Sequence, residues 1–226
     1  MSFAFKHTRS VRLTETADGS HSLFVEELGE HYHSINGAIQ ESRHIFIKNA
    51  LNQVQKKDIR VLEIGFGTGL NAFLTLLESR KNIHYTSLEL YPLPVETAIA
   101  LNYPEILNAE KADFEGLHLA EWNKEEKISS NFTLYKLHSD FTQCEFSENY
   151  DVIYFDAFSP EKQPEMWSEV AFEKLYKASA PNAVLTTYCA KGSVRRAMQA
   201  AGFAVERLPG PPGKREMLRA VKTAIL

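Results

Sequence analysis

The chain has 226 residues, 44% of them apolar and 24% charged, with a net charge of −4. This is enough for one well-packed domain with a modest extension, too short for two catalytic domains, and too apolar for a disordered or fibrous chain. Residues 1–11 carry no apolar core of the kind a secretory signal needs, and no apolar stretch is long enough to cross a bilayer. The two cysteines, Cys144 and Cys189, form neither a ligand pair nor a disulfide framework, so a reducing cytoplasm is expected.

Residues 10–26 place an Asp18-Gly19 turn between segments rich in Val, Leu, Thr and Phe, which predicts a β-hairpin. Over 37–51 the apolar residues Ile39, Phe46, Ala50 and Leu51 recur at roughly helical spacing. Residues 1–52 are therefore expected to form an amino-terminal β-hairpin and helix extension, and 53–226 the main domain. From there β-rich runs alternate with helical stretches, the mark of a parallel sheet with helices on both faces. Strands are predicted at 60–64, 84–90, 133–138, 152–156 and 183–188, and helices at 70–79, 95–102, 165–178 and 193–201. Two more strands, 204–208 and 216–221, are joined by Pro209-Gly210-Pro211-Pro212-Gly213, a connection so short that they must run antiparallel.

Charge is unevenly spread. Residues 186–226 hold eight basic side chains (Lys191, Arg195, Arg196, Arg207, Lys214, Arg215, Arg219, Lys222) against two acidic ones, a local balance of +6. A basic carboxy-terminal face on an otherwise acidic chain suits a polyanionic partner.

The sharpest local signal is the run from Val61 to Asn71, Val-Leu-Glu-Ile-Gly-Phe-Gly-Thr-Gly-Leu-Asn, an apolar strand entering glycines and then a helix. Glycines let backbone approach a ligand closely, and the helix start offers N–H groups and a positive dipole end to an anion. The third glycine falls at Gly69, not at position 70 where a dinucleotide fingerprint needs it. That spacing favours the methionyl carboxylate of S-adenosylmethionine, with Glu63, Gly65, Phe66, Gly67, Gly69 and Asn71 as candidate donor-binding residues. Glu89, at the end of the next strand, is placed to accept from ribose hydroxyls. Asp140 and Phe141, after the third strand, are placed to accept from the adenine amine and to cover the base. Asp156 closes the fourth strand at the edge that faces the ligand crevice, and is the candidate catalytic residue. Methyl transfer needs an aligned, unprotonated nucleophile, and a carboxylate can orient an amine and take its proton.

Gly-Phe-Gly-Thr-Gly-Leu-Asn (65–71), Asp-Ala-Phe-Ser-Pro-Glu-Lys-Gln-Pro-Glu-Met-Trp (156–167) and Gly-Lys-Arg-Glu-Met-Leu (213–218) resemble the methyltransferase half of the bacterial MnmC family. The resemblance runs from about residue 10 to the end and is most specific in the second motif. It implies a Rossmann-like class I α/β methyltransferase with a C-terminal antiparallel hairpin and a small N-terminal β element. It also implies N-methylation of 5-aminomethyl-2-thiouridine at the tRNA wobble position. Asp156 would then lie beside the modified base, with Phe158, Pro160, Lys162 and Trp167 shaping its pocket and Lys214 and Arg215 on the tRNA side. Bifunctional members also carry a flavin-dependent oxidase domain that makes the amine. No second domain fits in 226 residues, so a stand-alone methyltransferase served by a separate oxidase is expected. His31 and His33 alternate like a ligand pair, but without a nearby Cys or His cluster no metal is expected. Two other readings stay open: an aminopropyltransferase of the spermidine synthase type, which shares the sheet, and a non-catalytic RNA-binding module.

Overall fold

The alternating apolar and amphipathic runs close into one eight-stranded sheet, seen in a computed structural model that describes residues 9–146 and 149–223. The expectation of no secretory leader falls mostly on residues 1–8, outside the described residues. A separate three-stranded antiparallel sheet precedes the large one: β1 (Val11–Glu15), β2 (His21–Val25) and the two-residue β3 (Glu30–His31). The turn between β1 and β2 contains Gly19 at φ 80°, as the Asp18-Gly19 pair predicts. Asp18 Oδ2 also accepts from the Gln40 N–H at 3.0 Å, tying the hairpin to the next helix.

That helix, α1 (Ala38–Ser42), widens into a π-helical turn over Arg43–Lys48 and is followed by a 3₁₀ turn, Leu51–Gln53. The wide turn buries three successive residues, Ile45, Phe46 and Ile47, which one face of a regular α-helix cannot do.

The large sheet contains β4 (Asp58–Ile64), β5 (Asn82–Glu89), β6 (Glu125–Ser129), β7 (Phe132–His138), β8 (Tyr150–Phe155), β9 (Ser179–Thr187), β10 (Ala204–Pro209) and β11 (Glu216–Val221), in the order β10-β11-β9-β8-β4-β5-β7-β6. The five central strands run parallel, while β6 pairs antiparallel to β7. β11 pairs antiparallel with both β10 and β9, so the carboxy-terminal hairpin folds back and inserts its second strand between β9 and β10. β6 has no sequence signal: Glu-Glu-Lys-Ile-Ser is polar because it lies at the sheet edge, where charge discourages pairing with another chain.

One face of the sheet is covered by α1, the π turn, α2 (Leu70–Glu78) and α5 (Lys111–Leu119), around a core that includes Phe46, Phe73, Phe114, Tyr85 and Tyr154. The other is covered by α6 (Glu169–Ala178) and α7 (Gly192–Ala200), with Phe172, Leu175, Val194 and Met198 turned inward. The helix predicted over 165–178 is split. Pro164–Trp167 forms a 3₁₀ turn, and Ser168 leaves helical geometry to cap α6, accepting from the Ala171 N–H at 3.2 Å. The helix predicted over 95–102 ends early, as α3 (Val95–Ile99), and is followed by a further helix that was not predicted, α4 (Tyr103–Leu107), with Pro104 in its first turn. Gly202 ends α7 at φ 106°, with the Phe203 N–H returning to Met198 O at 3.1 Å.

The chain leaves β4 towards β5 and β7, then returns to lay β8 on the other side of β4. This reversal opens a crevice at the carboxyl ends of β4 and β8, the usual ligand position in an open α/β sheet. Among the described residues no helix is long and apolar enough to cross a membrane.

Candidate active site

A cavity of about 840 Å³ occupies that crevice. One end is built from strand termini of the large sheet. At the end of β4 three glycines take positive φ, Gly65 at 96°, Gly67 at 50° and Gly69 at 74°, and Gly69 hands the chain into α2. Gly65 is required by close approach as well as by conformation, because a Cβ there would lie 2.8 Å from the Asp156 carbonyl oxygen on β8. Gly65→Ala should therefore push the ends of β4 and β8 apart, costing about 1–3 kcal/mol in chemical denaturation and weakening donor binding. Wild-type stability together with wild-type donor affinity would contradict this account.

Glu89 accepts from the Gly67 N–H at 3.0 Å and, through its other oxygen, from the Tyr91 N–H at 2.8 Å. The carboxylate is thus held by two backbone amides at the cavity wall, where it can still accept from a vicinal diol. Asp140 and Phe141 line the same end. Thr142 donates to Asp140 Oδ1 from both its N–H and its hydroxyl, 2.8 Å each, which fixes the carboxyl. The bare cradle at Gly65 to Gly67, the carboxylate of Glu89 and the Asp140–Phe141 wall fit a ligand with an anionic tail, a ribose and an amine-bearing aromatic base. S-adenosylmethionine has those three parts. These residues would hold it, and it would supply the electrophilic methyl group.

Asp156 lines the cavity just past β8, where Asn71 donates to it through Nδ2 at 2.8 Å. Burial pushes its carboxyl up to about 7; the Asn71 hydrogen bond and the Lys214 charge oppose the shift, and Glu41 adds to it. A carboxyl poised near neutrality at a cleft is a proton acceptor suited to catalysis.

The amino-terminal segment covers the cavity from the glycine turn, where a Cβ on Gly67 would lie 2.9 Å from the Tyr32 ring, to the Phe158 loop. Residues from Leu28 to Ile35 run over the crevice, and Glu30 accepts from the Ser159 N–H at 3.2 Å and from its hydroxyl. Tyr32 packs edge-on against Phe158 with ring centres 5.1 Å apart, and Arg9 lies 4.0 Å above the Tyr91 ring. Phe158 and Lys162 line the cavity, as do Tyr188, Glu41 and Lys214. Lys214 pairs with the nearly buried Glu41 at 2.6 Å and sits 4.2 Å over the Tyr188 ring.

The structure thus brings Gly65, Phe66, Gly67, Asn71, Glu89, Asp140, Phe141, Asp156, Phe158, Lys162 and Lys214 to one cavity. Five other candidates lie outside its lining. Glu63 is fully buried beneath α2, because strand alternation turns it to the core face of β4. Gly69 acts as the left-handed turn into α2 and carries no side chain to the cavity. Trp167 is buried and donates from Nε1 to Phe158 O at 2.8 Å, so it props the Phe158 loop from behind. Pro160 is half-buried in that loop and Arg215 is exposed. Sequence reading gave no site role to Glu41, Tyr188, Tyr32 or Glu30. Glu41 and Tyr188 come from elements 147 residues apart, and no local pattern marks such a pairing.

The +6 balance of the carboxy-terminal segment is only partly answered in the fold, because two of its four ion pairs use Glu206 and Glu216, which that balance already counts. Lys191 pairs with Glu161, Arg207 with Glu216, Lys214 with Glu41 and Arg219 with Glu206. Both cysteines are buried and unpaired, and among the described residues no group of three or more His, Cys, Asp and Glu could hold a metal.

Residues 114–223 match the family model of an S-adenosyl-L-methionine-dependent methyltransferase. The match spans just under half of the chain and takes in Asp140, Phe141 and Asp156, while the glycine cradle and Glu89 precede it. Its relatives are proteins named "tRNA 5-methylaminomethyl-2-thiouridine biosynthesis bifunctional protein MnmC". The protein from Ectopseudomonas mendocina is 34% identical over 212 residues, 84% of this chain and 32% of its own length. That from Campylobacter hominis is 34% identical over 216 residues, 88% of this chain and 31% of its own. The chain therefore spans about a third of the length of these MnmC relatives and is homologous to that part of them. The crystal structure of MNMC2 from Aquifex aeolicus superposes with a TM-score of 0.74 at 26% identity, covering 98% of this chain and 73% of that one. Spermidine synthase from Thermotoga maritima, at a TM-score of 0.60 and 13% identity over 96% of this chain and 74% of its own, shares the fold alone.

Proposed function

We propose that this methyltransferase moves the methyl group of S-adenosylmethionine to the amine nitrogen of 5-aminomethyl-2-thiouridine at the tRNA wobble position. The observation that carries the reading is the position of Asp156. On one side Asn71, at the start of α2 beside the glycine turn that suits the donor, donates to it; on the other Glu41 and Lys214 act on it beside the Tyr188 ring, which suits a flat base. The names of the MnmC relatives point to the same modified nucleoside. Aminopropyl transfer is not favoured, since the matching family model belongs to S-adenosylmethionine-dependent methyltransferases.

In this reading Asp156 accepts a hydrogen bond from the acceptor amine, turns its lone pair towards the donor and takes up the proton released. Asn71 holds the carboxylate in place. The Glu41–Lys214 pair closes the cavity beside Tyr188, and Trp167 keeps the Phe158 loop at its acceptor end. The amino-terminal extension, taken as 1–52, contributes Arg9, the run from Leu28 to Ile35 and Glu41 to the cavity wall of the main domain, taken as 53–226. The tRNA backbone meets Arg9 and Lys162 at the cavity mouth and the exposed Arg215 beside it, a narrower basic face than the charge balance of the carboxy-terminal segment implies. The protein works in the cytoplasm on an amine supplied by a separate oxidase activity.

Nucleoside mass analysis of tRNA incubated with the protein and donor tests the proposal. A gain of one methyl on 5-aminomethyl-2-thiouridine is expected. Methylation of a different nucleoside, or none with this substrate present, would refute the assignment.

A further inference from the structure

Beneath the cavity three buried polar atoms have no hydrogen-bond partner: Glu63 Oε1, Asn71 Oδ1 and the Tyr85 hydroxyl. They belong to one cluster, since Asn71 and Tyr85 stand near enough to act on the Glu63 carboxyl. Glu63 lies opposite Ser87 on β5 and Tyr154 on β8, with no solvent exposure, and its Oε2 accepts from the Ser87 hydroxyl at 2.5 Å. The groups that act on it are Ser87, Asp156, Asn71 and Tyr85, none of them a cation. An ionised carboxylate there would offer no donor to the Asn71 carbonyl oxygen, and burying an unpaired charge is far costlier than burying a neutral acid.

We propose that Glu63 is a neutral positioning residue, whose Oε1 carries a proton donated to Asn71 Oδ1, locking that amide with Nδ2 on Asp156 as the Tyr85 hydroxyl donates back to Oε1. One proton then satisfies all three unpaired atoms. It also explains why Asp156 can be the ionised partner. Of the two carboxyls joined through Asn71, only Asp156 opens to the cavity, where the donor, the acceptor amine and Lys214 can stabilise its charge. Burial, with the nearby Asp156 as a smaller contributor, pushes the Glu63 carboxyl up to about 8, in keeping with the assignment. The groups facing the pair are Tyr85 and Ser87 from β5, Tyr154 from β8, Thr75 from α2, Glu41 from α1, and Tyr188 and Lys214 beyond β9.

The proposal rests on Asp156 being the group that meets the acceptor, so its test includes a readout that needs no tRNA. In the full-length protein at pH 7.5, between the two carboxyl values, infrared difference spectra should show a protonated-carboxyl stretch most of which is lost in Glu63→Gln and most of which persists in Asp156→Asn. In single-turnover methylation Glu63→Met, which lacks the donor, should fall by more than about tenfold with donor affinity held within about threefold, and Glu63→Gln should restore it. A carboxyl band that vanishes in Asp156→Asn instead would overturn the proposal. So would a tenfold loss of donor affinity in Glu63→Gln, because it would mean that a charge on Glu63 contacts the donor. If tRNA proves not to be the substrate, the infrared assignment and the donor titration still decide where the proton sits.

Discussion

Asp156→Ala should lower single-turnover methyl transfer by about a hundredfold or more while donor affinity stays within about threefold, the combination expected when a positioned proton acceptor is removed from a preformed site. The carboxyl touches neither the glycine cradle nor Glu89 through a side-chain bond; its side-chain partner is Asn71, so donor binding should survive. The pH dependence follows from its raised carboxyl, near 7. A base must be ionised to accept a proton, so the wild-type rate should fall as pH drops below about 7, and Asp156→Asn should be slow with that inflection gone. Stability carries the opposite sign. A carboxyl whose folded value lies above its ordinary 3.8 makes ionisation oppose folding, a cost absent below 3.8 and complete above about 7. Asp156→Asn should accordingly raise the melting temperature at pH 8 more than at pH 4. Full activity in Asp156→Ala would remove this residue from the mechanism.

Glu89→Ala should weaken donor binding by about ten- to a hundredfold, the scale of hydrogen bonds to a charged group. Two losses combine. The ribose hydroxyls lose their acceptor, and the Gly67 and Tyr91 amides, held at 3.0 and 2.8 Å, lose the group that orders the cradle. Glu89→Gln should recover only part of the affinity, because its amide nitrogen would face one of those backbone N–H donors. Titration calorimetry with S-adenosylmethionine checks both variants. Unchanged affinity in Glu89→Ala would place the donor elsewhere in the crevice.

Residues 61–71 determined by themselves that a strand runs through glycines into a helix, since the apolar run, the three glycines and the helix-forming residues are contiguous. Asp156 and Glu89 were legible for the same reason: each is the first carboxylate after an apolar strand, and in a parallel sheet all such ends meet at one edge. The Pro209–Gly213 connection likewise forced β10 and β11 to be antiparallel, because five residues cannot cross the sheet. Only the tertiary structure decided that β11 enters between β9 and β10. It also decided that alternation buries Glu63 under α2, and that Lys214, expected on the tRNA side, pairs with Glu41. Local sequence encodes the conformation of a segment and the polarity of its faces, whereas contacts such as Glu41–Lys214 or Tyr32–Phe158 depend on how distant segments are stacked. The acceptor end of the site is made almost wholly of such contacts, and the donor end of strand tips, which is why the donor was readable first.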